Sequence, residues 1–135
     1  MKRITVLLAD DNKLVRSGFR KILELEADLE VVGEAKDGRE AISMAKKLLP
    51  AVILMDLTMP QLNGLQATRQ IHEAIPAIKV LILSMHSDEA YVEEAIHSGA
   101  AGYLLKHAAG DSVCAAIRAV HKGKSFFSPS IRPPS

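Results

Sequence analysis

Short apolar runs, each the length of a β-strand, alternate along this chain with segments whose apolar residues recur at helical spacing. Val15, Phe19 and Ile22 show that spacing after the first run. A strand followed by a helix, repeated five times, predicts an α/β domain. The runs are Ile4–Ala9, Val31–Ala35, Val52–Met55, Val80–Leu83 and Ala101–Leu105.

Strands that are joined by helices run parallel, and a run as apolar as Val52–Met55 is typical of a strand covered on both faces. We therefore predict a doubly wound, parallel, five-stranded sheet, (βα)5, with strand order 2-1-3-4-5. Signals at the helix ends agree with this division. Ser87 is a predicted N-cap, Gly99 a C-terminal stop, and Pro50 and Pro76 close the second and third helices.

Composition places the chain among globular proteins of one domain, because its 135 residues are 48% hydrophobic and 24% charged. The segment 1–9 is too short for a signal peptide, so we interpret it as a buried strand of a cytoplasmic protein with no membrane association. A formal net charge of +1 without a lysine or arginine cluster predicts no nucleic-acid surface within these residues. Any DNA binding is therefore expected elsewhere.

Polar side chains follow four of the five predicted strands. In the predicted strand order their carboxyl ends are neighbours, so carboxylates, a hydroxyl and an ammonium group converge on one rim of the sheet. Clustered carboxylates suit Mg²⁺, while lysine and a hydroxyl suit phosphoryl oxygens, and a carboxylate can attack phosphorus. The sequence thus predicts a site for a metal ion and a phosphoryl group, built from Asp10, Asp11, Asp56, Ser84 and Lys106.

Several spaced motifs resemble one protein family. They are the segments 7–11 (LLADD), 55–64 (MDLTMPQLNG), 83–84 (LS) and 102–106 (GYLLK). Together they are similar to the receiver domains of two-component response regulators over about residues 3–123. The segments 99–106 and 123–129 further resemble the NarL/FixJ class of transcriptional regulators. The resemblance implies the flavodoxin-like receiver fold.

The resemblance also implies a role for each residue of the site. Asp56 would accept a phosphoryl group from a histidine kinase. Mg²⁺ would be held by Asp11 directly, by Asp10 through water, by Asp56 and by the backbone carbonyl of Thr58. Lys106 would pair with phosphorylated Asp56 and Ser84 would donate to a phosphoryl oxygen, while Tyr103 would turn from an exposed to a buried rotamer. As an alternative, Tyr103 is simply a strand aromatic packed on its neighbours. Pro60 and Gly64 would shape the loop after Asp56.

A signalling switch of this kind is not an enzyme in the usual sense, since it catalyses only its own phosphorylation and dephosphorylation. The implied partners are a sensor histidine kinase and, on activation, a second copy of the chain. Regulators of the NarL/FixJ class continue into a helix-turn-helix domain. We therefore divide the chain into a receiver, 1–124, and a tail, 125–135, that begins a linker to an absent DNA-binding domain.

The sequence departs from the family pattern at two positions. His107 stands where many receivers have a proline, so a cis bond after Lys106 is not carried over. Met85 is larger than the small residue that usually follows the switch hydroxyl, so it could narrow the path of a phosphodonor or of water.

Three other function classes fit these residues less well than the switch does. A Mg²⁺-dependent phosphohydrolase that forms an aspartyl phosphate would carry a second aspartate at position 58, where this chain has Thr58. A receiver that serves only as a phosphorylation-independent interaction module stays open, although the complete site argues against it. A dinucleotide site is disfavoured because no glycine-rich turn follows the first strand.

Overall fold

The computed structural model describes residues 2–129 and 131 of the chain. Strands and helices alternate over most of that length, as the hydrophobic pattern predicts. The strands are β1 (Ile4–Ala9), β2 (Leu29–Ala35), β3 (Val52–Asp56), β4 (Lys79–Ser84), β5 (Gly102–Leu105) and β6 (Phe126–Phe127). The helices are α1 (Lys13–Glu24), α2 (Gly38–Leu48), α3 (Gly64–Ala74), α4 (Glu89–His97) and α5 (Ala109–His121).

All the strands belong to one parallel sheet with the order β2-β1-β3-β4-β5-β6. The predicted order 2-1-3-4-5 is confirmed, and β6 is a short addition at the edge beyond β5. Buried side chains of the strands and helices form two hydrophobic clusters, one on each face of the sheet. Successive residues of β3 alternate between them, with Ile53 in one cluster and Leu54 in the other. Coverage on both faces explains why the strand sequences are apolar almost throughout.

Side chains cap the helices that follow β1 and β2. The Asn12 side chain accepts hydrogen bonds from the backbone N–H groups of Leu14 and Val15, and Asp37 accepts one from Glu40. These bonds satisfy donors that the first helical turn leaves free, so each helix starts at a defined residue directly after its loop.

Helix α4 starts one residue later than predicted, so the N-cap prediction for Ser87 is wrong. Asp88 occupies the N-cap, its side chain makes no capping hydrogen bond, and its carbonyl accepts the first helical bond from Val92. The predicted stop at Gly99 is confirmed, since Gly99 has a φ of 101°. That left-handed conformation favours glycine because it has no Cβ.

Strand β6 was not predicted, because two phenylalanines beside Gly123 and Pro129 give no periodic signal. It lies within the segment that the sequence assigns to a linker, and it pairs with β5 at Gly102 and Tyr103. The division of the chain at residue 124 stays a prediction. Within the described residues, every helix is too short or too polar to cross a membrane.

Candidate functional site

Three carboxylates meet at the carboxyl ends of β1 and β3. Asp10 and Asp11 directly follow β1, and Asp56 is the last residue of β3. One oxygen of each of the three carboxylates lies within 4.8 Å of the others. Asp10 and Asp56 are buried while Asp11 is exposed, so the cluster is open to solvent on the Asp11 side.

Among the described residues, the side chain of Lys106 makes the ion pairs with these carboxylates. Its Nζ lies 2.9 Å from Oδ2 of Asp10 and 3.3 Å from Oδ1 of Asp56. The residue follows β5, and its backbone N–H donates to the carbonyl of Ser84 at 2.8 Å, which fixes it beside the end of β4. Burial lowers the pKa of Lys106, but the Asp10 and Asp56 carboxylates outweigh burial and hold that pKa above its usual value. Lys106 is therefore a permanent cation of the site.

The surroundings of Asp56 favour its protonated form. Burial, followed by repulsion from Asp10, raises its pKa to about 6, although Lys106 and the Thr58 N–H act in the opposite direction. One ammonium group is thus too little to balance the acids. A bound cation would relieve this excess of negative charge.

The donor set fits a magnesium ion. Every candidate ligand is an oxygen, and Oδ2 of Asp10 is buried without a well-aligned hydrogen bond from the described residues, although Lys106 lies close to it. The other oxygen of Asp10 accepts from the N–H of Asn12 at 2.8 Å, which orients the carboxylate. Hard divalent cations prefer such oxygen ligands, and Mg²⁺ keeps waters that the exposed side near Asp11 would admit.

The loop after β3 holds Asp56 in place by close backbone contact. The N–H of Gly64 donates to the carbonyl of Leu57 at 2.9 Å, and a Cβ on Gly64 would lie 2.1 Å from the carbonyl oxygen of Asp56. Only glycine allows that approach, and the loop-shaping role of Gly64 stays a prediction. The carbonyl of Pro60 accepts from the N–H of Leu62 at 2.8 Å, so Pro60 lies in a tight turn of the same loop. The N–H of Thr58 lies 3.4 Å from Oδ1 of Asp56.

A second group of residues lies at the end of β4. Ser84 is buried, and its Oγ accepts from the N–H of His86 at 2.9 Å. Tyr103, on β5, is fully buried, and its hydroxyl donates to the carbonyl of His86 at 2.7 Å. The His86 ring stacks on Tyr91 with ring centroids 4.4 Å apart. Hydrogen bonds that join the Ser84 and Tyr103 side chains to the backbone of His86 thus hold the loop after β4.

Comparison with known proteins identifies the family of this site. Residues 6–118 match the family model described as the response regulator receiver domain. The chain belongs to the response regulator receiver family. It is 40% identical over 129 residues to the transcriptional regulatory protein DegU of Brevibacillus brevis, a match that covers 96% of this chain and 55% of that protein. It is 45% identical over 125 residues to YxjL of Bacillus subtilis, described as an uncharacterized transcriptional regulatory protein, covering 93% of this chain and 57% of that one.

Solved structures agree with this assignment. A two-component response regulator of the LuxR family from Aurantimonas superposes with a TM-score of 0.92 at 35% identity, covering 96% of this chain and 93% of that one. The signal receiver domain of the putative response regulator NarL from Mycobacterium tuberculosis gives a TM-score of 0.88 at 35% identity, covering 92% and 100%. The chain is a receiver of the LuxR/NarL type, and receivers are signalling regulators rather than conventional enzymes. It spans a little more than half the length of the curated relatives named above.

The receiver brings together most of the residues that the sequence selected. Asp10, Asp11, Asp56 and Lys106 form one cluster, and Ser84 and Tyr103 form the adjoining group at the end of β4. Their proposed roles stay predictions. Tyr103 is buried in this structure, and its turn from an exposed to a buried rotamer on phosphorylation stays a prediction beside the alternative of simple strand packing. The Lys106–His107 peptide bond is trans.

Sequence reasoning selected Met85 beside the path to Asp56 but missed Asn12 and Lys13, which also line the cleft over Asp56. The cleft has a volume of about 590 Å³ and is lined by Asp11, Asn12, Lys13, Asp56, Thr58, Met85 and Lys106. Met85 is 69% exposed there, which places a flexible thioether beside the path to Asp56. The sequence also contains no indication that the backbone carbonyl of His86 accepts a hydrogen bond from Tyr103. A carbonyl gives no sequence signal, because any residue type supplies one.

Proposed function

We propose that this receiver is a phosphorylation-dependent switch whose phosphoryl acceptor is Asp56. The observation that carries the proposal is the place of this one carboxylate, which is buried at the end of β3, close to two other acids and 3.3 Å from the Lys106 ammonium. A buried carboxylate with a raised pKa, a cationic neighbour and access from an open cleft has the properties expected of a nucleophile toward phosphorus.

The transfer reaction follows from the chemistry of these groups. An Asp56 carboxylate oxygen attacks the phosphorus of a phosphohistidine on the partner kinase, a P–O bond forms, and the P–N bond breaks. The electron pair of that bond stays on the departing imidazole. Lys106 contacts both Asp56 and Asp10, so its charge faces the negative charge that arrives with the phosphoryl group. Attack by water on the acyl phosphate then releases inorganic phosphate and restores the carboxylate.

Mg²⁺ fits the acids of this site. Asp11 and Asp56 would bind it directly, Asp10 through a water molecule, and the Thr58 carbonyl would complete the protein ligands. The ion would supply positive charge to the phosphoryl oxygens in the transition state. The chain's own residues fix where that charge acts: Asn12 orients Asp10, and the Gly64 contact fixes the backbone of Asp56.

The response to phosphorylation would run through Ser84. Its hydroxyl hydrogen can be donated to a phosphoryl oxygen, because Oγ serves as an acceptor for His86 in the present arrangement. Drawing Ser84 toward the phosphoryl group would move the loop that carries His86, and Tyr103 is hydrogen-bonded to that same loop. A phosphoryl group shifts the conformational equilibrium only through such state-dependent contacts.

The longer relatives suggest the output. Because this chain spans a little more than half of their length, we propose that the receiver controls transcription through a helix-turn-helix domain beyond residue 135. A sensor histidine kinase would supply the phosphoryl group, and phosphorylation would favour a homodimer. The cytoplasmic location stays a prediction.

Intact-protein mass spectrometry tests the acceptor. Incubation with acetyl phosphate and Mg²⁺ should add the mass of one phosphoryl group to the wild-type chain and nothing to Asp56→Asn, whose amide keeps the shape but lacks the nucleophilic oxygen. The matched control is Asp111→Asn, at an exposed aspartate on α5, which should be labelled like the wild type. Equal labelling of Asp56→Asn would move the acceptor to another residue.

A further inference from the structure

The segment after α5 returns to the sheet and binds its edge. We name residues 126–129 and 131 the C-terminal strap. Phe126 and Phe127 pair in parallel with Gly102 and Tyr103 of β5. Phe127 packs on the cluster that contains Tyr103, whereas Phe126 packs on the cluster of the opposite face. The strap therefore has the alternating contacts of a true strand, on a sheet edge that it covers.

Two hydrogen bonds extend this contact beyond the phenylalanines. The N–H of Ser128 donates to the carbonyl of Tyr103 at 3.0 Å, and Ser128 Oγ accepts from the N–H of Leu105 at 2.8 Å. Ser128 is 1% exposed, so its hydroxyl is committed to β5 rather than to water. Ile131 is buried in the same cluster as Tyr103. A serine and an isoleucine of the predicted linker thus belong to the folded receiver.

The backbone of β5 is shaped to receive the strap at Gly102. A Cβ at this position would lie 2.2 Å from the carbonyl oxygen of Phe126 and 2.7 Å from Cδ2 of Leu81. The first of these contacts is with backbone, which cannot move aside without separating the strands. Gly102 is therefore required for strap docking although it lies outside the acidic site.

The strap contacts the strand that carries the switch residues. Tyr103 accepts a strap hydrogen bond at its carbonyl and donates its own hydroxyl to His86 in the loop after β4. Leu105 is bound by Ser128, and the next residue, Lys106, contacts Asp10 and Asp56. Strand β5 therefore has the strap on one side and, on the other, the groups that would respond to a phosphoryl group.

We propose that docking of the C-terminal strap on β5 is energetically coupled to phosphorylation of Asp56, so that the strap transmits the state of the site to whatever follows residue 131. This inference rests on the proposed function. The structure shows the strap docked while Tyr103 is buried with its hydroxyl on His86, so these two arrangements are compatible. The contact of Ser84 with a phosphoryl group would favour that inward Tyr103, so phosphorylation tightens the strap.

Amide hydrogen exchange measures docking directly. In the chain 1–135, the N–H groups of Ser128 and Leu105 are protected only while the strap is bound, so their exchange rates report its release. Beryllofluoride with Mg²⁺, a phosphoryl mimic, should slow both rates by at least about fivefold, the lower end of ordinary coupling between sites. Unchanged rates in a sample whose Asp56 region has bound the mimic would overturn the inference.

Coupling is reciprocal, so a substitution that releases the strap must weaken binding of the mimic by the same factor. Ser128→Ala and Gly102→Ala should each lower the affinity for beryllofluoride at least about fivefold. The NMR shift of the Leu57 amide during a titration measures this affinity. Ser125→Ala, at an exposed residue before the strap, should bind the mimic like the wild type. Ser128→Thr keeps the hydroxyl and should restore most of the affinity.

The outcomes separate the two proposals. A wild-type chain that binds no beryllofluoride at Asp56 and takes no phosphoryl group contradicts the proposed function. If folded Ser128→Ala binds beryllofluoride like the wild type, the proposed coupling between the strap and Asp56 is wrong, even if Gly102→Ala proves too unstable to measure. Loss in Ser128→Ala together with rescue in Ser128→Thr supports it, because a general loss of stability would not depend on the hydroxyl.

Discussion

Two charged clusters of this receiver shift the pKa of a carboxyl group in opposite directions. At the rim of the sheet, burial and a neighbouring acid raise the pKa of Asp56 to about 6. On the surface, Arg118 of α5 lies 2.6 Å from a Glu26 oxygen and 2.8 Å from an Asp28 oxygen, and its hydrogen bond lowers the pKa of Asp28. In the surface cluster the carboxylates bind the guanidinium and remain hydrated.

The difference between the clusters is one of burial and of charge balance. At the rim, Lys106 contacts two of the three acids, and these two are buried, so the cluster keeps an excess of negative charge in a poorly solvated place. The Arg118 cluster serves to fasten α5 to the segment before β2. The excess of buried negative charge at the rim opposes folding. A binding site for cations and phosphoryl groups requires such closely placed charged groups.

Asp11→Ala gives the largest effect expected from this comparison. It removes a direct oxygen ligand and one of the negative charges, so we expect Mg²⁺ affinity to fall by at least about a hundredfold, more than the loss of an outer-shell partner usually costs. Asp10→Ala should weaken binding less, because its contact passes through water. Titration calorimetry measures both, and wild-type affinity in Asp11→Ala would refute the ligand assignment.

Ser84→Ala should separate phosphorylation from the response to it. Asp56 would still be phosphorylated, but the variant loses a hydrogen bond to a charged acceptor of about 1.5–3 kcal/mol, which shifts a two-state ratio by about ten- to a hundredfold. NMR shifts of Ser84–His86 and Tyr103, with and without beryllofluoride, measure the response. The spectra without the mimic provide the control, because Ser84 also binds the N–H of His86 there. An undiminished response would place the switch in another group.

Asp56→Asn should be more stable than the wild type at neutral pH without divalent metal. The folded chain holds the Asp56 proton up to about pH 6, and the unfolded chain releases it near 3.8, so wild-type stability falls as pH rises through that window. A shift of this size, in which the attraction of Lys106 is already included, corresponds to at most about 3 kcal/mol. Urea unfolding at pH 7 and at pH 4 measures the gap, which should close at the lower pH. If the stability difference between the variant and the wild type were larger at pH 4 than at pH 7, the pKa of Asp56 would be lowered by folding and not raised.

Arg118→Ala should have the smallest effect of the four. Its bonds to Glu26 and Asp28 are on the surface, where water replaces much of what the substitution removes. The midpoint of urea unfolding should fall slightly, by less than Asp56→Asn raises it, and high salt should reduce the difference between variant and wild type. A large, salt-insensitive loss would mean that Arg118 contributes through packing.

The helix boundaries show where local sequence signals suffice and where they fail. The stop at Gly99 was predictable because the left-handed conformation there selects glycine. The start of α4 was not, because Ser87 and Asp88 are both good capping residues and the choice depends on which carbonyl accepts from Val92. That choice is made by the loop after β4, which Tyr103 holds from a distant strand.

The sequence by itself determined the strand-helix alternation, the sheet order and the identity of the polar residues at the strand ends. Those properties follow from hydrophobic period and from the handedness of parallel connections, both of which are local or general. Only the tertiary structure decided how Asp56 is shifted in pKa, that Tyr103 binds the His86 carbonyl, and that Ser128 joins β5. Each of these depends on backbone groups or solvent exclusion contributed by segments far apart in the chain, and the identity of the residues alone does not predict them.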